Sequence, residues 1–313
     1  VEEPVVQRAA DTTAVAIRTA PKAPVRRRPH LVPLLLAAPA ALTLLVFLVL
    51  PTLQMIAYSV SGTVDGGVYR PGWTLANYQR LVAVDLYASV LWRTIWLALV
   101  TSVICAVLAY PAAMIIARGP ALYARIVTMV LVAPLLVNVV IRSYGWSAIL
   151  SRQGALNWLL GGLGLIDGPL LILYTEAAVI IASVHVFLAF MVLPLAAALA
   201  RIDPAVEQAA AVMGAGPFAV FRRVTLPLSL PGLAIGGSLV FSLTAAAYVT
   251  PQILGGNFVP LLGTLIEQQI LTLHDWPFGA AIATVLIAMV LGVNLAFLRF
   301  TARRFTGWVE AGR

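Results

Sequence analysis

Six stretches of this chain are too apolar to sit in water and long enough to cross a bilayer. They lie at roughly 31–58, 88–117, 125–149, 176–199, 232–254 and 278–299. A membrane span takes about 20 apolar residues. Inside lipid a backbone must satisfy its own hydrogen bonds, so runs of this kind fold as helices. Composition agrees, because only 10% of the 313 residues are charged, against about 25% in an average soluble domain. The predicted fold class is an all-α integral membrane protein with six transmembrane helices. Pro39, Pro111, Pro134 and Pro194 fall inside the runs. Neighbouring helices can satisfy the carbonyls that a proline frees, so kinks are expected there.

The formal net charge is +8, and its distribution sets the orientation. With the N-terminus in the cytoplasm, the inner segments hold Arg8, Arg18, Lys22, Arg26, Arg27, Arg28, Arg118, Arg125, Arg201, Arg222, Arg223, Arg299, Arg303, Arg304 and Arg313. Arg70, Arg80, Arg93, Arg142 and Arg152 fall outside or within spans. The positive-inside rule then predicts cytoplasmic termini and a cytoplasmic 200–231 loop. It also accounts for the basic balance without nucleic acid, whose single-stranded grooves interleave basic and aromatic residues on a soluble surface. Residues 1–30 read as a disordered basic cytoplasmic tail. They do not read as a cleaved signal peptide, because the apolar run after Arg28 is too long. Residues 31–299 read as the membrane domain and residues 300–313 as a cytoplasmic C-terminal tail.

Few residues offer chemistry. Cys105 stands alone in an apolar run, so no disulfide can form within the chain, and a small buried hydrophobe is the expected role. His30, His185 and His274 are scattered without metal-ligand spacing. A phosphate-binding loop needs Gly-Lys-Ser/Thr, and the only lysine, Lys22, sits in Ala-Pro-Lys-Ala-Pro. No bound cofactor or metal is expected on this chain, and energy must come from a partner subunit or from an ion gradient. Glu176 falls at a span end and no span centre holds an acid, which disfavours a stand-alone ion-coupled transporter. A membrane enzyme is disfavoured by the lack of clustered nucleophile, base or metal ligands.

The segment from Asp203 to Gly232, DPAVEQAAAVMGAGPFAVFRRVTLPLSLPG, carries a defined local structure. Asp203 is an N-cap carboxylate and Pro204 a first-turn proline. Glu207 falls where the positive end of the helix dipole favours it. Ala209, Ala210 and Ala211 favour helix, and Gly214 and Gly216 end it before Pro217. Leu226-Pro227 and Pro231-Gly232 are expected to form a rigid exit. On the other face, residues 59–87 read as a polar loop. Residues 150–175 read as a short interfacial or re-entrant helix plus turn, and 255–277 as a loop with a helical stretch near 261–273.

This segment resembles the EAA loop of bacterial ABC-importer permeases, E-A-A-x3-G-x9-I-x-L-P. Aligned on Gly214, it places Gln208, Ala209 and Ala210 at E-A-A, and Val224, Leu226 and Pro227 at I, L and P. Gln208 departs from the usual Glu, with Glu207 beside it. The resemblance extends over about 31–300 and is greatest to polyamine (spermidine/putrescine) importer permeases. It is carried by WTLANY (73–78), VIRSYGW (140–146), GALNWLLGGLGLI (154–166), YVTPQILGG (248–256) and HDWPFGAA (274–281).

The resemblance implies a type I importer permease fold in the bacterial inner membrane and half of a solute path. It implies as partners a second similar permease, an ATPase dimer and an extracytoplasmic substrate-binding protein, all in membrane lipid. The ATPase would grip Glu207, Gln208, Ala209, Ala210, Gly214, Ala215, Leu226 and Pro227. Glu207 or Gln208 would hydrogen-bond it. A polyamine path needs carboxylates and aromatic faces. The outer acids are Asp65, Asp85, Asp167, Glu176, Glu267 and Asp275. Glu267 and Asp275, with Tyr248 and Trp276, are the candidates for the path. Arg142 is costly within a span and so requires a partner. Exposed to the path, it would favour an anionic or zwitterionic solute, and relatives of this group import ferric iron, aminoethylphosphonate or opine-like solutes.

Overall fold

The computed structural model describes the backbone of residues 31–65 and 68–310 and the side chains of 38–64 and 68–299. The basic tail 1–30 lies outside the described residues. The chain divides into two compact units, the first ending at Thr52 and the second beginning at Leu53.

The first unit contains helix α1 (Leu31–Leu44). A π-turn over Leu45–Val49 follows it, and α2 (Leu50–Ser59) begins in this unit with most of its residues in the second. Ala38–Ser59 is long and apolar enough to cross a membrane.

The second unit holds a small outwork and a helical bundle. The outwork is an antiparallel hairpin, β1 (Gly62–Asp65) with β2 (Val68–Pro71), in the register Gly62↔Pro71 to Asp65↔Val68. The hairpin replaces part of the expected polar loop. Helix α3 (Ala76–Ala83) follows. The Asn77 side chain is buried and donates to Ser59 O at 3.0 Å and Gly62 O at 2.8 Å, which ties the hairpin to α2.

The bundle consists of α4 (Asp85–Arg118), the α5–α7 segment, α8 (Glu176–Leu199), a loop with short helices α9 (Pro204–Val212) and α10 (Pro217–Val220), α11 (Leu226–Ala245), short helices α12 (Val249–Leu254) and α13 (Leu262–Glu267), and α14 (Trp276–Glu310). Its centre is α4, α8 and α11 packed on one another, with Cys105, Ala109 and Ala113 of α4 against Met191, Val192 and Leu195 of α8 and Val240 of α11. Cys105 is fully buried, in the role expected of it.

Helices in lipid gain no hydrophobic advantage from touching, so they associate where small residues let backbones approach. Gly232 and Gly236 form such a pair. A Cβ on Gly232 would lie 2.5 Å from Ala198 Cβ and 2.7 Å from Pro194 O. One on Gly236 would lie 2.7 Å from Met191 Sδ. Ser238 and Ser242 of α11 join Asn294 of α14 by hydrogen bonds of 2.7 Å and 3.1 Å.

Three expected spans are redrawn. The third, placed at 125–149, is two segments, Ala121–Leu136 and Val139–Gly162, that meet at 104°. Pro134 has no N–H to continue the ladder, and Asn138 starts the second segment by accepting from Val140 N at 2.8 Å. The first segment comprises α5 (Ala121–Val132) and a 3₁₀ turn, and the second α6 (Val139–Leu150) and α7 (Ala155–Gly162). The fifth, placed at 232–254, runs from Pro217 to Ala245. The exit formed by Leu226-Pro227 and Pro231-Gly232 is therefore a stretch of helix. A π-turn over Phe221–Thr225 absorbs the missing N–H of Pro227. The sixth, placed at 278–299, starts at Trp276, and its helix continues through 300–310 of the expected tail.

Overpacking at Gly232 has nowhere to relax, because the obstacle is backbone. Gly232→Leu is expected to destabilise by about 1–3 kcal/mol or more. The check is the thermal midpoint of the purified protein in detergent, with Gly292→Leu as control, since nothing lies within 4 Å of that position.

Candidate functional site

The 203–231 loop is built as the sequence signals require. Asp203 Oδ1 accepts from Ala205 N at 2.9 Å, and Pro204 occupies the first turn of α9. The helix ends in a Schellman closure, with Ala215 N on Ala210 O at 3.1 Å and Gly214 N on Ala211 O at 2.9 Å. Gly214 has φ +89°, a left-handed conformation that glycine adopts without strain. The spacing of Gly214 from the alanines is therefore the length of one short helix plus its cap. α10 then leads through the π-turn into α11.

Glu207 faces the bundle. Its Oε2 accepts from Arg118 Nη1 at 2.5 Å and its Oε1 accepts from Thr225 Oγ1 at 2.6 Å. Arg118 is the last residue of α4, where the helix dipole favours a cation. One carboxylate thus joins α9 to the end of α4 and the start of α11. Burial on its own pushes the Glu207 carboxyl up, but the hydrogen bonds from Arg118 and Thr225, with the Arg118 charge, outweigh it and hold the group below its ordinary value. Neither Arg118 nor Thr225 was a sequence candidate. A carboxylate near the membrane face requires a cation, but Arg118, Arg125, Arg201, Arg222 and Arg223 all satisfy that requirement on paper.

Gln208 and Ala209 are exposed, while Ala210 and Ala215 are half-buried. Val212, Met213 and Phe218 project at 89%, 82% and 74% exposure. A cavity of about 430 Å³ behind this ledge is lined by Arg118, Glu207, Gln208, Ala215 and Phe221, among others. Leu226 and Pro227 open α11, and about one turn on, Ser229 Oγ lies 2.6 Å from the Tyr110 hydroxyl of α4.

The path candidates separate into three places. Arg142 and Tyr248 line one cavity of about 210 Å³, with Ser183, Phe187 and Thr250. Tyr248 stands at the gap between α11 and α12. Arg142 has the required partner: it donates to Pro134 O at 2.7 Å and Val137 O at 3.3 Å, carbonyls at the break in the third span. Asp275 is buried. Its Oδ2 accepts from Arg80 Nη1 at 2.9 Å and its Oδ1 from Phe278 N at 3.2 Å, so it caps α14 and anchors α3. Trp276 beside it is 57% exposed. Glu267 is half-buried at the end of α13 and does not line the Arg142 cavity. His185 accepts from Trp146 Nε1 at 3.3 Å, a structural contact of the kind expected.

Residues 109–304 match the family described as the binding-protein-dependent transport system inner membrane component. The spermidine/putrescine transport system permease protein PotB of Escherichia coli (strain K12) is 36% identical over 252 residues, covering 80% of this chain and 91% of that protein. The PotB of Haemophilus influenzae is 34% identical over 253 residues, covering 80% and 88%. The inner membrane ABC transporter permease protein YdcU of Escherichia coli is 31% identical over 245 residues, covering 73% and 76%. In fold, the chain is similar to one in the crystal structure of a bacterial alginate ABC transporter in complex with an alginate pentasaccharide-bound periplasmic protein. The TM-score is 0.67 over 87% of this chain and 94% of that one, at 17% identity. With a family match over more than half its length and relatives covered almost end to end, this chain belongs to the binding-protein-dependent transport system inner membrane component family, as a multi-pass permease subunit of an ABC transporter in the bacterial inner membrane.

Proposed function

We propose that this chain is a permease subunit of an ATP-driven polyamine importer, with spermidine and putrescine as its solutes. The observation that carries the reading is the extent of the PotB match, 36% identity over 91% of the relative's length. The chain works with a second permease, an ATPase dimer that holds ATP and magnesium, and an extracytoplasmic binding protein. The 203–231 loop faces the cytoplasm and the ATPase. Uptake of labelled spermidine and putrescine by the assembled transporter in liposomes tests this. Failure of both solutes to enter rejects it.

The loop geometry supports a lever. Val212, Met213 and Phe218 are an apolar knob of the size a groove accepts. Gln208 is the exposed polar group beside it, and Glu207 is the inner tie. Movement of the ATPase would pull α9, and the Glu207 carboxylate would pass that pull to α4 and α11. This differs from a role for Glu207 in gripping the partner directly, because both its oxygens are already engaged within the chain.

A second reading has one observation behind it. Arg142 borders the 210 Å³ cavity and would suit an anionic or zwitterionic solute. Against it, the guanidinium donates to two carbonyls of its own chain. Stimulation of ATP hydrolysis by 2-aminoethylphosphonate in place of spermidine would favour this reading.

Glu207→Ala removes two charge-assisted bonds, each worth about 1.5–3 kcal/mol. It is expected to lower uptake and stimulated ATP hydrolysis by about tenfold or more. Gln208→Ala is expected to cost less, and equal losses in the two variants would count against the inner tie. Gly214→Val forces a β-branched residue to φ +89° and is expected to leave membrane insertion intact while abolishing stimulated hydrolysis.

The lowered pKa of Glu207 sets a pH dependence. A depressed carboxylate contributes its stabilisation above the ordinary value and loses it only as pH falls through the folded value. Coupling measured as hydrolysis per solute imported should therefore stay level from about pH 8 to about pH 5. Loss of coupling across neutral pH would contradict the clamp.

A further inference from the structure

At the end of the bundle opposite the 203–231 loop, Glu176 opens α8. Its carboxylate is 42% exposed, and its Oε1 lies 3.1 Å from Arg93 Nε of α4. Arg93 Nη1 also donates to Phe258 O at 3.3 Å. Tyr174, two residues before Glu176, and Phe258, whose backbone carbonyl Arg93 reaches, are 50% and 75% exposed, with ring centroids 6.4 Å apart. A reachable carboxylate with exposed aromatic residues on the adjoining segments is a combination that suits alkylammonium groups. Here a guanidinium of the chain's own occupies it.

The backbone around the site is under load. Tyr174 has φ +67°, and it and His274 are the non-glycine residues with positive φ among the described residues. Tyr174 N donates to Leu254 O at 2.8 Å, and Gly256, itself at φ +54°, packs under the Tyr174 ring. Strain of this kind persists where surrounding contacts over-determine it, and it gathers at sites that move. Two residues after Tyr174, Glu176 is tied through Arg93 to the Phe258 carbonyl. By contrast, Asp275, which follows His274, is buried under Arg80 and the α14 cap and cannot be reached by solute.

We propose that Glu176, with the faces of Tyr174 and Phe258, is an alkylammonium-binding site at the mouth of the path, held closed by Arg93 until an ammonium displaces it. Arg93 is then a tethered competitor. Its release would free the start of α8 from the 254–258 turn. The inference rests on the polyamine reading for its solute. An alkylammonium can reach the site from free polyamine or from a lysine of the docking binding protein.

The test uses the whole transporter in nanodiscs, with ATP hydrolysis as the readout. In one arm free spermidine is titrated without binding protein, and in the other the binding protein is titrated without spermidine. Arg93→Gln is expected to lower the half-maximal concentration of the ammonium source by about tenfold, the size of one hydrogen bond to a charged group. Glu176→Gln is expected to raise it by a similar factor. The arm in which these shifts occur names the source. Phe258→Leu keeps the Arg93–Glu176 pair and the carbonyl that Arg93 reaches but removes the ring. It is expected to assemble like the wild type and to raise the half-maximal concentration as Glu176→Gln does. A Phe258→Leu response equal to the wild type shows a purely structural pair and overturns the site. So do single variants that match the wild type in both arms. A wild-type transporter that imports no labelled polyamine overturns the solute reading instead, a result separate from the behaviour of the variants.

Discussion

Lipid offers no hydrogen bonds, so every interruption of a helix inside this protein must be repaired by the protein itself. The broken third span shows the rule most directly. Pro134 ends one segment, Asn138 caps the next, and Arg142 returns a cation to the carbonyls of Pro134 and Val137. An arginine within a span is costly when alone. Here it answers two carbonyls at the break, Val137 O and Pro134 O, the latter also accepting from Val137 N, which explains its presence. The same rule operates at Pro227, where a π-turn shifts the ladder and the helix continues.

Repair of this kind leaves rigid pieces joined at defined points, and ion pairs select the joints. Glu207 joins α9 to α4 and α11. Glu176 joins α8 to α4, and Asp275 joins the start of α14 to α3. Between these joints the rods lie in close contact, because Gly232 and Gly236 bring α11 against the backbone of α8. In the lever proposed above, a pull on the loop would be passed along α4, α8 and α11.

Much of this was legible in the residues. Apolar runs mark the spans, Asp203-Pro204 marks the start of α9, and Gly214 marks its closure. Proline is where local signals run out. The kink expected at Pro134 is a full break of 104° just after it, and the rigid exit expected at Pro227 and Pro231 is a continuous helix. A proline removes one donor in either case, and only its neighbours decide whether the ladder bends, shifts or stops. The β1–β2 hairpin is not legible in the residues, because strands of four residues carry too little alternation to separate them from a polar loop.

By itself the sequence determined the membrane class, the number of spans within one broken segment, and the loop whose spacing marks the family. Those follow from local quantities: the length of an apolar run, a cap, the one position where a left-handed residue is needed. The tertiary structure alone decided which charges meet. Glu207 could have faced outward and Asp275 could have lined a path. Instead Glu207 turns to Arg118 and Thr225, and Asp275 is covered by Arg80 and the first turn of α14. Partners 89 or 195 residues apart in the chain are chosen by how helices pack, and a spacing rule has no access to that distance.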